Sequence, residues 1–292
     1  MKRFLAISVS ASALIVAGCS NNASATVHVD AQDHNGRDGA HHFDQDGDAS
    51  LMGGDMRIAG RIGGDLSVIG SDLHVSAGIG GDMSLVGSDI IFEGSVGSEA
   101  NIAGSDVAWS GNARGDVDIA GSDVNWSGTT DGSLSIAGSD VMIDGRIGED
   151  LDIAGSDIEV SRDSDVGGNL SMAGSDLELF GSVGGNASLA GSSAEIEGPV
   201  DGRLIAVAYS RRGWSWSSGN THQRVRINAA IGEGSAVCAR RVVIGPEMVI
   251  TGQLAVFAEE APVFETGASQ SSVTFEAIDG RDCNDLLEPF DR

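Results

Sequence analysis

An aspartate follows a pair of small residues again and again in this chain. Asp72, Asp89, Asp106, Asp123, Asp140, Asp157 and Asp176 each follow Gly-Ser, and Asp55 follows Gly-Gly in the corresponding place. Two chemistries suit such a file. Each carboxylate can cap backbone N–H groups at its own corner, or neighbouring carboxylates can share a divalent cation such as Ca²⁺, which takes hard oxygen ligands. One of them has to offset a repulsion of about 1 kcal/mol per adjacent pair even in bulk water. A second file runs Asp48, Asp65, Asp82, Glu99, Asp116, Ser133, Asp150, Asn169, Asn186 and Arg203. Ser and Asn stand in for Asp there, so hydrogen bonding to the backbone suffices and charge is not required.

Away from these files, Tyr209 to Gln223 breaks the pattern. With Arg211, Arg212, Trp214, Trp216 and His222, followed by Arg224, it gathers aromatic and basic residues in an acidic chain. Tryptophans stack on sugars and arginines grip carboxylates, which suits a glycan or peptidoglycan contact. The competing reading folds the tryptophans back over the protein and pairs the arginines with the acidic files. Four of the six histidines, His28, His34, His41 and His42, lie near the start, where a transition-metal site competes with an unstructured tract. Asp44 to Asp55 mimics a calcium loop, but Ala49 stands where that loop needs glycine, and the segment aligns better as one more repeat. Cys238 and Cys283 can pair in an oxidising compartment and close the C-terminal segment onto what precedes it. There is no Gly-x-Ser-x-Gly, His-Glu-x-x-His or phosphate-binding glycine loop. No enzyme and no cofactor are expected.

What positions the aspartates is a repeat. Gly53, Gly70, Gly87, Gly104, Gly121, Gly138, Gly155, Gly174 and Gly191 recur every seventeen residues, with one interval of nineteen. So short a period is one coil of a β-solenoid. Apolar residues two apart give the strand period, and aligning coils stacks Val75, Phe92, Trp109, Trp126, Ile143, Val160, Leu179 and Ile196 in one inward column. Leu73, Ile90, Val107, Val124, Val141, Ile158 and Leu177 form another. The fold class is therefore all-β, a single-stranded parallel β-helix of roughly a dozen coils stacked about 4.8 Å apart. With 43 glycines against 8 Phe, 4 Trp and 1 Tyr, tight corners and a thin core fit the composition. Minimal coils leave no loops to wall a cleft.

The expected organisation is a signal peptide over 1–18, a flexible acidic and His-rich tether over 19–47, the solenoid over 48–278 interrupted at 209–223, and a cap or tail over 279–292. Met1-Lys2-Arg3 and the apolar run to Ala17 have the form of a secretory signal. The run ends Val16-Ala17-Gly18-Cys19, which resembles the lipobox of bacterial lipoproteins. That resemblance implies cleavage before Cys19, lipidation of Cys19 and membrane attachment through the lipid. Ser20, in place of the retention aspartate, implies the outer membrane. Cleavage removes Lys2 and Arg3 and takes the net charge from -26 to -28, which repels nucleic acid.

The period, the Gly63-Gly64-Asp65-Leu66 and Ile147-Gly148-Glu149-Asp150-Leu151 corners, and Ile244-Gly245-Pro246-Glu247 leading into Ile250-Thr251-Gly252-Gln253-Leu254 resemble bactofilins and related polymer-forming proteins. The resemblance spans about 230 residues. It implies a right-handed triangular β-helix without a cofactor, assembling end to end into filaments or scaffolds. Bactofilins are typically cytosolic, whereas this chain reads as exported. The expected function is a structural, self-associating envelope lipoprotein, with an adhesin-like, glycan-contacting lipoprotein as the alternative.

Overall fold

Residues 27–30, 39–208 and 223–290 are described by the computed structural model. It is a parallel β-solenoid of about 13 turns with about 17 residues per coil, 55% strand and 3% helix. It divides into two compact units, Met1–Val141 and Met142–Arg292.

In the first unit a regular coil carries three runs, for example Met83–Val86, Asp89–Phe92 and Ser95–Val96. Each pairs in parallel with its counterpart seventeen residues on: Met83 with Ala100, Phe92 with Trp109, and Val96 with Ala113. Alternation decides which side chains are buried, because successive residues of a strand point to opposite faces. Leu85, Ile102, Ile119 and Ile136 are buried, while their neighbours Ser84, Asn101 and Ser135 are partly exposed and Asp118 is exposed. The aromatic column forms as the repeat predicts. Phe92, Trp109 and Trp126 are fully buried, with ring centroids 4.3 Å and 4.9 Å apart. Trp109 Nε1 donates to the Gly111 carbonyl at 2.9 Å.

The solenoid starts earlier than the sequence suggests. Part of the segment expected as a tether is strand: Val27–Asp30 pairs with Ala49–Met52, and Gly39–Gln45 pairs with Met56–Ile62. His41, Phe43 and Gln45 are half-buried while Ala40, His42 and Asp44 are exposed, so a real alternation was masked by polar residue types. What draws the segment in is the open edge of the next coil, as where Gly63 N–H reaches the Gln45 carbonyl at 2.8 Å. The repeat reading of Asp48 to Asp55 holds, with Ala49 opposite Leu66 and Leu51 opposite Val68.

In the second unit the nineteen-residue coil absorbs its two extra residues in a turn at Arg162-Asp163. Ser164 turns inward there and donates to the Ile143 carbonyl at 2.8 Å. The pattern resumes after the interruption as expected, with Val225 opposite Val242 and Ile227 opposite Ile244. Residues 209–222 of the insertion lie outside the described residues, and Gln223 has a left-handed φ of 74°. The last strand is Val273–Ala277.

The chain end is a cap. Asp282 accepts from the Asn284 N–H and starts the helix Cys283–Leu287, which runs into a 3₁₀ turn, Glu288–Phe290. This cap does not close the end of the stack. Cys283, Leu286 and Leu287 pack on the outer side of the first-run strands, against Ala236, Cys238 and Phe257, with Ile205, Val207 and Ala255 alongside. Cys238 and Cys283 form a disulfide, with Cα atoms 5.7 Å apart.

Candidate functional site

The two acidic files sit at different corners of the coil and behave differently. At the Gly-Gly-Asp corner the Asp and Asn side chains accept a backbone N–H from the coil that follows. Asp48 Oδ1 takes the Asp65 N–H at 3.0 Å, Asp65 that of Asp82 at 2.9 Å, and Asp116 that of Ser133 at 2.9 Å. In the second unit Asp150 takes the Asn169 N–H at 2.7 Å, Asn169 that of Asn186 at 3.0 Å, and Asn186 that of Arg203 at 2.9 Å. An amide oxygen does the work as well as a carboxylate, which is why charge is dispensable.

At the Gly-Ser-Asp corner the donors are already taken. Ser88 and Asp89 N–H both reach the Ser71 carbonyl, at 2.8 and 3.1 Å, and Ser105 and Asp106 N–H reach that of Ser88, at 2.8 and 3.0 Å. At Asp89, Asp106 and Asp123 serine carbonyls of the preceding coil thus satisfy the groups that the expected capping would have used. In the first unit Asp72, Asp89, Asp106 and Asp123 are in direct register. Lost hydration raises the Asp72 carboxyl above the usual aspartate range, and the charges of Asp55 and Asp89 add to it. For Asp106 the leading cause is proton sharing with Asp89 and Asp123, followed by lost hydration and their charge.

The file offers hard oxygen donors to cations, yet a single file stacks carboxylates above one another rather than around a centre. Among the described residues no three His, Cys, Asp or Glu side chains converge as a metal cage. Asp140 ends the file in the first unit. In the second, Asp157 and Asp176 are in register, and the same column continues through Ser193, Arg224 and Arg241. His41 and His42 do not form a joint site, since neighbours on one strand face opposite ways. Beside the file, Asp55, Arg57, Asp72, His74, Asp89 and Ile91 line a shallow groove, where His74 Nε2 lies 2.9 Å from Glu93 Oε2.

The second unit holds an ionic hub that the repeat did not reveal. Arg226 Nη1 contacts Glu195 at 2.9 Å and Glu197 at 2.8 Å, its Nη2 contacts Glu265 at 3.1 Å, and Arg162 also bonds Glu197. Arg226 is mostly buried; the hydrogen bonds it donates to Glu265 and Glu197 raise its pKa and hold Glu197 and Glu265 below their usual range. Glu178, Glu195 and Arg226 are in outward register, which was the available signal. Cys19, Arg211, Arg212, Trp214, Trp216 and His222 lie outside the described residues, and Arg224 opens the strand that follows them.

One further surface matters. Val273–Ala277 ends its sheet, so no described strand pairs with its outer edge. Phe275 lies in register with the buried Val256 but is 44% exposed. Compared with protein-family models, with curated proteins and with solved structures, the chain matches none.

Proposed function

We propose that this protein is a non-enzymatic structural lipoprotein of the bacterial envelope, held at the outer membrane through a lipid on Cys19, and that copies stack end to end as in the bactofilins it resembles. One observation carries the self-association: the last rung leaves a row of backbone donors and acceptors open, with the apolar Phe275 in an inward column and nothing described beyond it. Such an edge is a template for another chain unless it is covered. Among the described residues of the regular coils, the short corners between runs, too small to wall a substrate cleft, support the non-enzymatic reading.

Sedimentation of the Cys19→Ser chain over a range of concentrations tests it. Assemblies that grow with concentration and disappear in Phe275→Glu are expected; monomers at every concentration overturn it.

A second reading, glycan contact through Arg211, Arg212, Trp214, Trp216 and His222, draws support from the column in the second unit that changes from Asp157 and Asp176 to Arg224 and Arg241. Peptidoglycan pull-down that is lost in Trp214→Ala/Trp216→Ala favours it.

A further inference from the structure

In the second unit the outward side of the first-run strands changes chemistry along its length. One outward column reads Ala173, Ala190, Val207, Cys238 and Phe257, and its neighbour reads Ser171, Ser188, Ile205, Ala236 and Ala255. Side chains as large as Ile205, Val207 and Phe257 would stand in water on this face. The C-terminal helix prevents that, leaving Cys238 at 0% and Phe257 at 7% exposure.

The cover is slight. A five-residue helix is too short to be stable alone. It is held by the Cys238–Cys283 disulfide, by a hydrogen bond from Arg203 Nη1 to the Phe290 carbonyl, and by edge-on packing of Phe290 against Phe257 with centroids 6.0 Å apart. Only the first of these is covalent, and it ties the cover to a strand two rungs before the last.

We propose that the C-terminal helix is a disulfide-latched cover over an apolar docking strip formed by Ile205, Val207, Ala255 and Phe257, and that the uncovered strip pairs with the same strip of a second copy. A dithiol reductant works the latch by exchange. Each cysteine sulfur gains one electron and one proton, and the reductant gives up two of each and leaves as a cyclic disulfide. A second copy fits because Ile205, Val207, Ala255 and Phe257 stand in register on neighbouring strands without a charge among them, Glu276 being the first charge beyond Phe257 in that column, so two such faces can pack as sheets do. On the other faces of so acidic a chain, like charge opposes self-contact. The pairing is two-fold and closes at a dimer. It is independent of end-to-end stacking, which uses the last rung.

The test uses the full chain carrying Cys19→Ser and Phe275→Glu, so that no other thiol reacts and the end is disabled. Hydrogen exchange and light scattering are compared before and after dithiothreitol, with disulfide loss verified by mass. Cys238→Ala/Cys283→Ala serves as a second route should the buried bond resist reductant. On opening, exchange at 283–290 should rise about tenfold or more while strand 204–208 stays protected. The molar mass should double, and Phe257→Glu should cancel the doubling. A cover that stays protected without its disulfide overturns the proposal, as does an open cover with unchanged mass, or loss of protection throughout the last coils.

Discussion

The two corners of each coil in the first unit carry similar residues to opposite ends. At the Gly-Gly-Asp corner the carboxylate crosses to the next rung and satisfies a backbone donor, and the glycine before that donor is what makes room. A Cβ on Gly81 would fall 2.0 Å from Asp65 Oδ1. At the Gly-Ser-Asp corner serine carbonyls have already taken the donors, and the carboxylates are left stacked in register. There the glycine is less constrained, since a Cβ on Gly104 would meet the side chain of Ile90 at 3.1 Å. Equal regularity in sequence thus hides unequal need: one acid stabilises its corner, and the other is tolerated there.

The difference can be broken at the first corner. Gly81→Ala should cost about 3 kcal/mol, because it displaces the carboxylate and crowds stacked backbone. Gly104→Ala should cost clearly less, and chemical denaturation measures both. Asp116→Ala, which strands the Ser133 N–H, should lose about 1 kcal/mol. Asp116→Asn should stay within about 0.5 kcal/mol, since Asn169 and Asn186 already do this job. Equal losses for Asn and Ala would make the charge, rather than the acceptor, the cause.

The second corner should respond in the opposite direction. If cations bridge the file, Ca²⁺ raises Tm in the wild type and EDTA reverses it, while Asp89→Asn/Asp106→Asn/Asp123→Asn abolishes the response. No calcium-dependent shift removes that chemistry from the file. The smallest effect belongs to Asp106→Asn alone, which should raise Tm at pH 7. An aspartate whose pKa is higher folded than unfolded binds its proton more readily in the folded chain. Stability therefore falls as pH rises through the interval between the two values, and the benefit of Asp106→Asn fades as pH drops towards about 3.9. Added salt should shrink it as well. Glu197 and Glu265 have the reverse sign: Arg226 lowers them, so their contribution is present above the unfolded pKa and lost as pH falls through the folded values.

The fold was legible because one period governs it. Val75, Phe92, Trp109 and Trp126 align by counting, and stacking in register leaves them a single place to go. The first strands were less legible, because His41 and Gln45 occupy half-buried positions that the composition of that stretch does not advertise. Which acidic file hydrogen-bonds could be read from its Ser and Asn substitutions. That serine carbonyls take the corner N–H groups at Asp89, Asp106 and Asp123 could not, because a backbone acceptor leaves no trace in residue type. The Glu195–Arg226 pair lay within the register of adjacent coils, but Glu265 and Arg162, which complete the hub, and the disulfide that sites the cap reach across two coils, beyond a repeat read one coil at a time.

Seventeen-residue register has a consequence for size. In the first unit each rung hands its hydrogen bonds to a near-copy of itself, so Met83–Val86 and Ala100–Ala103 face equivalent neighbours above and below. Excising a whole period there, such as 94–110, rejoins matching surfaces and shortens the stack by about 4.8 Å without a new kind of contact. Length in such a molecule can be altered in whole storeys by duplication or loss, leaving the roof and foundations untouched.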